Sequence, residues 1–511
     1  MELQITKQTL PMNELAFDSP IEQPVECDVL LPDYCPDIQR ILSCDVCCLI
    51  REAHAEQQRL TISGELRLNI LYVSDSGMLR GIDHKLPFVR HLDSNTTLHK
   101  PMIEVSCKVD YLNCRAISSR RLELRGAVTL RVQAVDCGQT EVVEGGSGLG
   151  LQLKQTAVNM DACCWAGESS FDVHEELELN SHPPIAQILS SQLQAVLSDH
   201  KVISGKIVCK GELKLKLLYL PLSADEKELP QELEYSLPIS QILPAEGAGE
   251  GSGCCLSLSL CGWELQPKTD GDGEMKLLSL DAQVEAAVAV HQPQQLLLAQ
   301  DCYSTVCEVN FEEKALSFLN FHSHLEESCR IREMLEPGFA PQAILSSWAK
   351  VKDLSYGQNS EGLLLKGNVL LSALLLDEDG CPQLCETAVQ VEHSLPMNSN
   401  ERAMIFGLQL LPLSTEATIN GTQLELRCQL QLSGCVFLME RQSAISAITA
   451  DESCPKKRGE DCGLCIYYAD QKESVWDIAK KYNSSVSGIR EENGLEHDIL
   501  PQRTMLLIPM C

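Results

Sequence analysis

Near the C-terminus, Cys454, Cys462 and Cys465 in DESCPKKRGEDCGLC are the residues best spaced for metal chemistry, since the last two form a C-x-x-C pair. A closed zinc site takes four ligands, and no nearby His or Cys supplies the fourth, so linker thiols are expected here and no metal. His322 and His324 lie two apart, which on a strand places both on one face. The twelve histidines form no HExxH helix and no cluster, so that pair reads as a solvated strand face. The segment GEGSG at 249–253 is rich in glycine, but no helix start with a phosphate-binding lysine follows, and a loop is expected. Asn483-Ser484-Ser485 satisfies a glycosylation pattern and reads as a helix-capping turn. No Walker loop, GxSxG elbow or GxGxxG fingerprint occurs, so neither an enzyme nor a cofactor is expected.

The elements behind these residues belong to a long acidic chain. At 511 residues it exceeds what one hydrophobic core serves, and several domains are expected. The net charge of −31 opposes nucleic acid and anionic lipid, which would be repelled. The 25 cysteines are irregularly spaced and include the adjacent pairs Cys47-Cys48, Cys163-Cys164 and Cys254-Cys255, which points to reduced cytosolic thiols. MELQITKQTLPMNELAFDSP has no basic segment followed by an apolar one, so no signal peptide is expected. No run of about 18 apolar residues occurs, so no membrane insertion is expected.

A repeat organises most of the chain. Ile-Leu-Ser occurs at 41–43, 188–190 and 344–346, and a glycine follows 23 positions after each isoleucine, at Gly64, Gly211 and Gly367. Each glycine is read as opening an alternating strand. Leu66, Leu68, Ile70 and Tyr72 stand against Glu65, Arg67 and Asn69; Leu213, Leu215, Leu217 and Tyr219 stand against Glu212, Lys214 and Lys216. Such alternation predicts strands that bury one side only. The third copy, Val369, Leu371, Ala373 and Leu375, is apolar on both faces. Leu86-Pro87, Leu237-Pro238 and Leu395-Pro396 then place a proline at a strand edge or end. Further alternating sets follow, at Leu122 to Val132, Leu280 to Val288 and Leu424 to Leu432. The pattern predicts a mainly β chain of three antiparallel sandwich-like modules, over 22–140, 172–310 and 325–448, a linker over 449–464, and a small domain over 465–511.

The last piece breaks the pattern. Val475, Ile478, Ala479 and Tyr482 recur at helical spacing behind a capping Ser474, and Lys480 and Lys481 suit the helix C-terminus. A second helix follows, capped by Ser485, with Val486 and Ile489 facing inward and Asn493-Gly494 as its stop. Flanking strands at Ile466-Tyr467-Tyr468 and Met505 to Ile508 complete a βααβ order. Trp476 falls off the helical stripe and is the first candidate contact; burial against the ribbon is the alternative.

Tyr467, Ser474 to Ala479, Lys480-Lys481-Tyr482, Asn493-Gly494-Leu495 and Ile508-Pro509 together resemble a LysM domain. That resemblance implies a groove binding N-acetylglucosamine glycans, with Gln471, Lys472, Glu473 and Ser474 on one side and Asn493, Leu495 and Ile499 on the other. Lys472 and Arg503 stand where the family usually has glycines, which turns the expectation toward a protein partner. The Ile-Leu-Ser, glycine and Leu-Pro order resembles the SPOCS domain of spore-coat proteins. SPOCS-like repeats with a terminal LysM are similar to the spore envelope morphogenetic proteins of clostridia. This implies a non-enzymatic assembly protein in the mother-cell cytoplasm, at the forespore surface, docked by LysM to a coat-basement ATPase. Peptidoglycan is the alternative ligand.

Overall fold

A computed structural model of the chain describes residues 2–222, 229–398, 401–456 and 463–510. The first module consists of β1 (Gln4–Leu30), β2 (Ile38–Glu56), β3 (Arg59–Ser74), β4 (Leu79–Asp93), β5 (Pro101–Ser118) and β6 (Arg121–Ser147). They form two three-stranded antiparallel sheets, ordered β1-β6-β5 and β2-β3-β4. The alternating leucines of β3 and β6 face each other in one core with Val25, Phe88 and Ile103. Each such side chain contributes roughly 1.5–3 kcal/mol on burial. The module is therefore a sandwich, as the period-two pattern predicts.

The second module repeats this with β7 (Leu151–Glu178), β8 (Ile185–Ile203), β9 (Lys206–Pro221), β10 (Gln231–Pro244), β11 (Gly253–Lys268) and β12 (Leu277–Ser304), in sheets β7-β12-β11 and β8-β9-β10. The third has β13 (Cys307–Leu335), β14 (Ala343–Gln358), β15 (Gly362–Leu376), β16 (Pro382–Pro396), β17 (Arg402–Asn420) and β18 (Gln423–Pro455), in sheets β13-β18-β17 and β14-β15-β16. Residues 449–455, assigned to the linker from sequence, continue β18, and β1 begins well ahead of residue 22. Pro87, Pro238 and Pro396 all lie on edge strands, β4, β10 and β16, the strands of a sheet on which proline is tolerated.

The repeated glycines stand inside strands and do not open them. Gly64, Gly211 and Gly367 fall in β3, β9 and β15 next to a bulge in the partner strand, at Ile50/Glu52, Leu197/Asp199 and Val351/Asp353. At Gly211 a Cβ would stand 2.5 Å from the Val196 carbonyl oxygen, and at Gly64 it would overlap Leu49 O and the Phe88 ring. At these two positions the partner backbone comes onto the strand beside its bulge and only glycine leaves room, whereas at Gly367 the nearest backbone atom, Asp353 O, would lie 3.7 Å away.

The three modules close on one another. β4 lies against β8, β10 against β14, and β16 against β2, so the last strand of each short sheet meets the first strand of another copy. One shared core takes Leu71, Leu218 and Leu374, together with Leu189 and Leu345 of the Ile-Leu-Ser triplets and the partly buried Leu42. A second takes Leu10, Val158 and Leu316 with Met12, Met160 and Phe318 from the long strands. The charged faces of β3 and β9, expected in solvent, therefore look onto neighbouring modules. Arg67 stacks 4.0 Å over the Trp263 ring and donates to its carbonyl at 3.0 Å; Asn69 donates to Leu189 O at 3.1 Å.

Two sequence expectations about side chains change. Cys255 of β11 and Cys435 of β18 are joined by a disulfide between the second and third modules, where reduced thiols were expected. A bulge between Phe321 and Ser323 breaks the alternation, so His322 is exposed while His324 turns in against His200, ring centroids 5.0 Å apart. Burial and the neighbouring His200 push the His324 imidazole down to about 4.

Candidate functional site

The terminal domain has the βααβ order expected: β19 (Leu464–Ala469), α1 (Val475–Tyr482), α2 (Val486–Asn493) and β20 (Thr504–Pro509), with β19 and β20 antiparallel. The Ser474 side chain caps α1 by accepting from Trp476 N at 3.2 Å, and Ser485 caps α2 by accepting from Gly488 N at 3.0 Å. Asn483 and Gly494 end the helices in the left-handed conformation. Val475, Ile478, Ala479 and Ile489 pack on Leu506 and Ile508 of the ribbon, with Tyr482 and Val486 at the margin. Eight-residue helices are too short to be stable alone, so this packing holds them.

The two loops expected to flank a sugar groove are bonded to each other. Lys472 N donates to Leu500 O at 2.9 Å, Leu500 N to Glu473 O at 3.0 Å, and Val475 N to Asp498 O at 2.7 Å. Ser474 and Ile499 form an isolated bridge, and the Ser474 hydroxyl donates to Asp498 at 3.1 Å. Glu473 accepts from Tyr467 Oη at 3.0 Å and from Asp470 N at 3.0 Å, which fixes the first loop and raises the Tyr467 phenol above its ordinary range. The amides of Lys472, Val475 and Leu500 are thus occupied within the domain. Lys472 has φ +74°, the left-handed region that glycine usually fills, whereas Arg503 pairs with Asp470 at 2.6 Å.

The structure separates the sequence-derived site residues by what they touch. Gln471, Lys472 and Ile499 are exposed along the loop pair, and Ile499 keeps 62% of its surface in solvent. Leu495 packs at the edge of the core. Asn493 holds α2 to the ribbon: its amide donates to Leu507 O at 2.7 Å and accepts from Leu507 N at 2.7 Å, completing the pairing a strand would make. Trp476 is only 5% exposed and does not present itself to a partner. It belongs to the domain's core, and the end of β12 covers it from the body. The indole donates to Asp301 at 2.8 Å, Lys480 pairs with Asp301 at 2.6 Å, and Tyr303 stacks edge-on to the indole with centroids 5.0 Å apart. Tyr303 Oη also donates to Ser484 O at 2.7 Å. The terminal domain is anchored to the body through these residues.

Among the described residues, what remains open is the outer face of the ribbon, which the sequence pattern alone did not single out. Ile466 is 59% exposed and Tyr468 76%, with Leu464 and Met505 beside them. Ile466 pairs with Leu507 and Tyr468 with Met505, so the face is continuous. Its signal was present as alternation: Cys465, Tyr467 and Ala469 turn to the helices while Leu464, Ile466 and Tyr468 turn away. Both faces are apolar and helices cover one.

No metal-binding group of three or more His, Cys, Asp or Glu occurs among the described residues; Cys462 lies outside them, and Cys454 is exposed. No described helix is long and apolar enough to cross a membrane.

Fold and site together define a repeat protein, three interlocked β-sandwiches bearing a small helical domain on one end. Two segments, residues 37–117 and 184–263, match the family described as the SipL SPOCS domain. They run from β2 into β5 and from β8 into β11, so the first two repeats are of SPOCS type and tie the chain to sporulation-related proteins. The third module has the same strand order. No curated protein and no solved structure matches the chain.

Proposed function

We propose that this chain is a non-enzymatic assembly protein of the spore envelope. The three interlocked modules are its scaffold, and the LysM-like terminal domain docks it to a protein of the coat basement, an ATPase by the resemblance of the whole architecture. It works in the mother-cell cytoplasm at the forespore surface. The observation carrying this reading is the apolar outer face of β19 and β20, centred on Ile466 and Tyr468 and left uncovered among the described residues. Apolar surface rimmed by polar residues is what protein interfaces bury.

The glycan alternative draws less support, because the loop amides are spent on one another and Lys472 holds the position of a usual glycine. Full-length protein carrying Ile466→Asp and Tyr468→Asp separates the two. Loss of binding to the coat-basement ATPase, with the fold retained, supports the docking role. Saturable pelleting of the wild-type chain with purified peptidoglycan, unaffected by that double change, replaces it with glycan recognition.

A further inference from the structure

The two edges of the terminal ribbon differ. On β20, Leu507 turns its backbone N–H and C=O away from β19, and the Asn493 side chain takes both at 2.7 Å. The Pro509 carbonyl accepts from the Ser484 hydroxyl, and proline has no N–H to leave unpaired. The β20 edge is thereby closed over Leu507 and Pro509. These bonds also fix the phase of β19, because opposed residues of an antiparallel pair either bond to each other or both point outward. Ile466 lies opposite Leu507, so its N–H and C=O point out of the ribbon, as do those of Leu464 and Tyr468, two positions away on either side. Met510 N donates to Gly463 O at 3.1 Å, which puts the inward-bonding set at the odd positions of β19 and agrees with that phase. Among the described residues, no backbone group from outside the ribbon bonds to Leu464, Ile466 or Tyr468, and the Ile466 carbonyl has only a 3.9 Å contact from the Cys465 thiol.

We propose that β19 takes a third strand: an extended segment of the docked protein, with alternating apolar residues and basic flanks, pairs along Leu464, Ile466 and Tyr468. This rests on the docking role proposed above and specifies how the partner is held. Main-chain hydrogen bonds to the outward groups supply the attachment. The exposed side chains of Leu464, Ile466 and Tyr468 stand on one face, beside the positions that alternate side chains of an added strand occupy.

The edge also lacks the devices that keep strands apart. Edge strands of folded proteins carry charges, prolines or bulges against unwanted pairing. Within this chain β4, β10 and β16 have Pro87, Pro238 and Pro396. β19, Leu-Cys-Ile-Tyr-Tyr-Ala, has no charge, no proline and no register shift against β20. Charge then selects the occupant. The chain carries −31, and residues 466–511 hold seven Asp/Glu against five Lys/Arg. Two copies of the chain repel each other, whereas a segment flanked by Lys or Arg is drawn in.

The probe is a synthetic peptide of alternating valine and threonine with lysines at both ends, added to the full-length chain. Saturable binding is expected, and hydrogen exchange read residue by residue by NMR should slow at the amides of Leu464, Ile466 and Tyr468. Those of Cys465 and Tyr467, bonded within the ribbon, should be slow with and without peptide. Glutamates in place of the lysines should weaken binding by at least about tenfold. Ile466→Pro removes an outward N–H that the ribbon does not use and should abolish binding. Ile466→Ala trims the same side chain, keeps that N–H and should cost only a few-fold. If circular dichroism shows Ile466→Pro unfolded, the exchange pattern of the wild-type chain decides. Absence of saturable binding, binding without slowed exchange at the three amides, or equal weakening by the two folded variants overturns the proposal. Dimerisation of the chain alone, lost in Ile466→Pro, also overturns it and assigns the edge to a second copy. Docking to the coat-basement ATPase that survives Ile466→Pro but not Ile466→Asp with Tyr468→Asp removes strand addition and leaves the docking role standing. The docking role itself fails separately, through ATPase binding that the double aspartate change leaves untouched.

Discussion

Trp476 Nε1 donates to a carboxylate oxygen of Asp301 at 2.8 Å, joining the first helix of the terminal domain to the end of β12 in the second module. Tyr303, two residues on, closes the same junction by stacking on the indole and donating to Ser484 O. The tail is thus held to the body by the aromatic residue that its sequence offers most readily to a partner.

Asp301→Ala removes the acceptor and leaves a buried indole N–H unpaired, at an expected cost of about 1–3 kcal/mol to the junction. The Lys480 pair adds little, being partly exposed. Trp476→Ala removes the ring as well and should cost about 3–5 kcal/mol. Amide hydrogen exchange over residues 475–482 reads the effect: faster exchange in Asp301→Ala than in wild type is expected, and unchanged exchange would show that the junction does not hold the helix.

Lys472 occupies a left-handed backbone conformation at φ +74° without the freedom of glycine. That conformation costs a side-chain-bearing residue about 1–2 kcal/mol, part of which glycine returns through its greater unfolded-state entropy. Lys472→Gly should stabilise the terminal domain by about 0.5–1 kcal/mol, seen as a higher denaturation midpoint. A lower midpoint would mean that the lysine side chain makes a contact outweighing the backbone strain.

Glu104 sits where all three modules meet, accepting from Ser257 of the second at 3.3 Å and from Gln409 of the third at 3.0 Å. It is 7% exposed, and burial pushes its carboxyl up to about 7 from an ordinary 4.5. The fold therefore binds this proton more tightly than the unfolded chain. The stability it contributes is complete below pH 4.5 and is lost as pH rises toward 7, by up to about 3 kcal/mol. Glu104→Gln should make the protein less sensitive to pH between 5 and 8 and more stable than wild type at pH 8. Urea midpoints at the two pH values check this; equal slopes in the two proteins would place the proton elsewhere.

Gly81 lets β4 approach β8, since a Cβ there would overlap the Leu189 backbone. Gly81→Ala should cost about 1–3 kcal/mol by forcing the two modules apart. Gly262→Ala, which meets nothing within 4 Å, is the control and should be near neutral. Equal midpoints for the two variants would show that the first and second modules are not in close register.

Sequence periodicity carried the strands, the three copies and the terminal βααβ order, because each depends on local alternation and capping residues such as Ser474 and Ser485. It did not carry contacts between copies. Arg67 and Asn69 look like solvent-facing residues until Trp263 and Leu189 of the next module cover them. Gly64 reads as a strand start, and only the bulge in β2 explains it as room for a carbonyl. Trp476 lies off its helical stripe, as the spacing says, but the side chain that covers it is 173 positions away in Tyr303. The Cys255–Cys435 link likewise joins residues 180 apart. Such distances leave no trace in local pattern.

The central claim is that the open face of β19 and β20 grips a protein while the body positions it. Its most direct measurement is the affinity of full-length chain for the coat-basement ATPase, compared with the Ile466→Asp, Tyr468→Asp variant. Replacing two apolar contacts at the centre of an interface should weaken binding by at least about tenfold. An affinity unchanged by the double substitution, in protein that remains folded, would contradict the account.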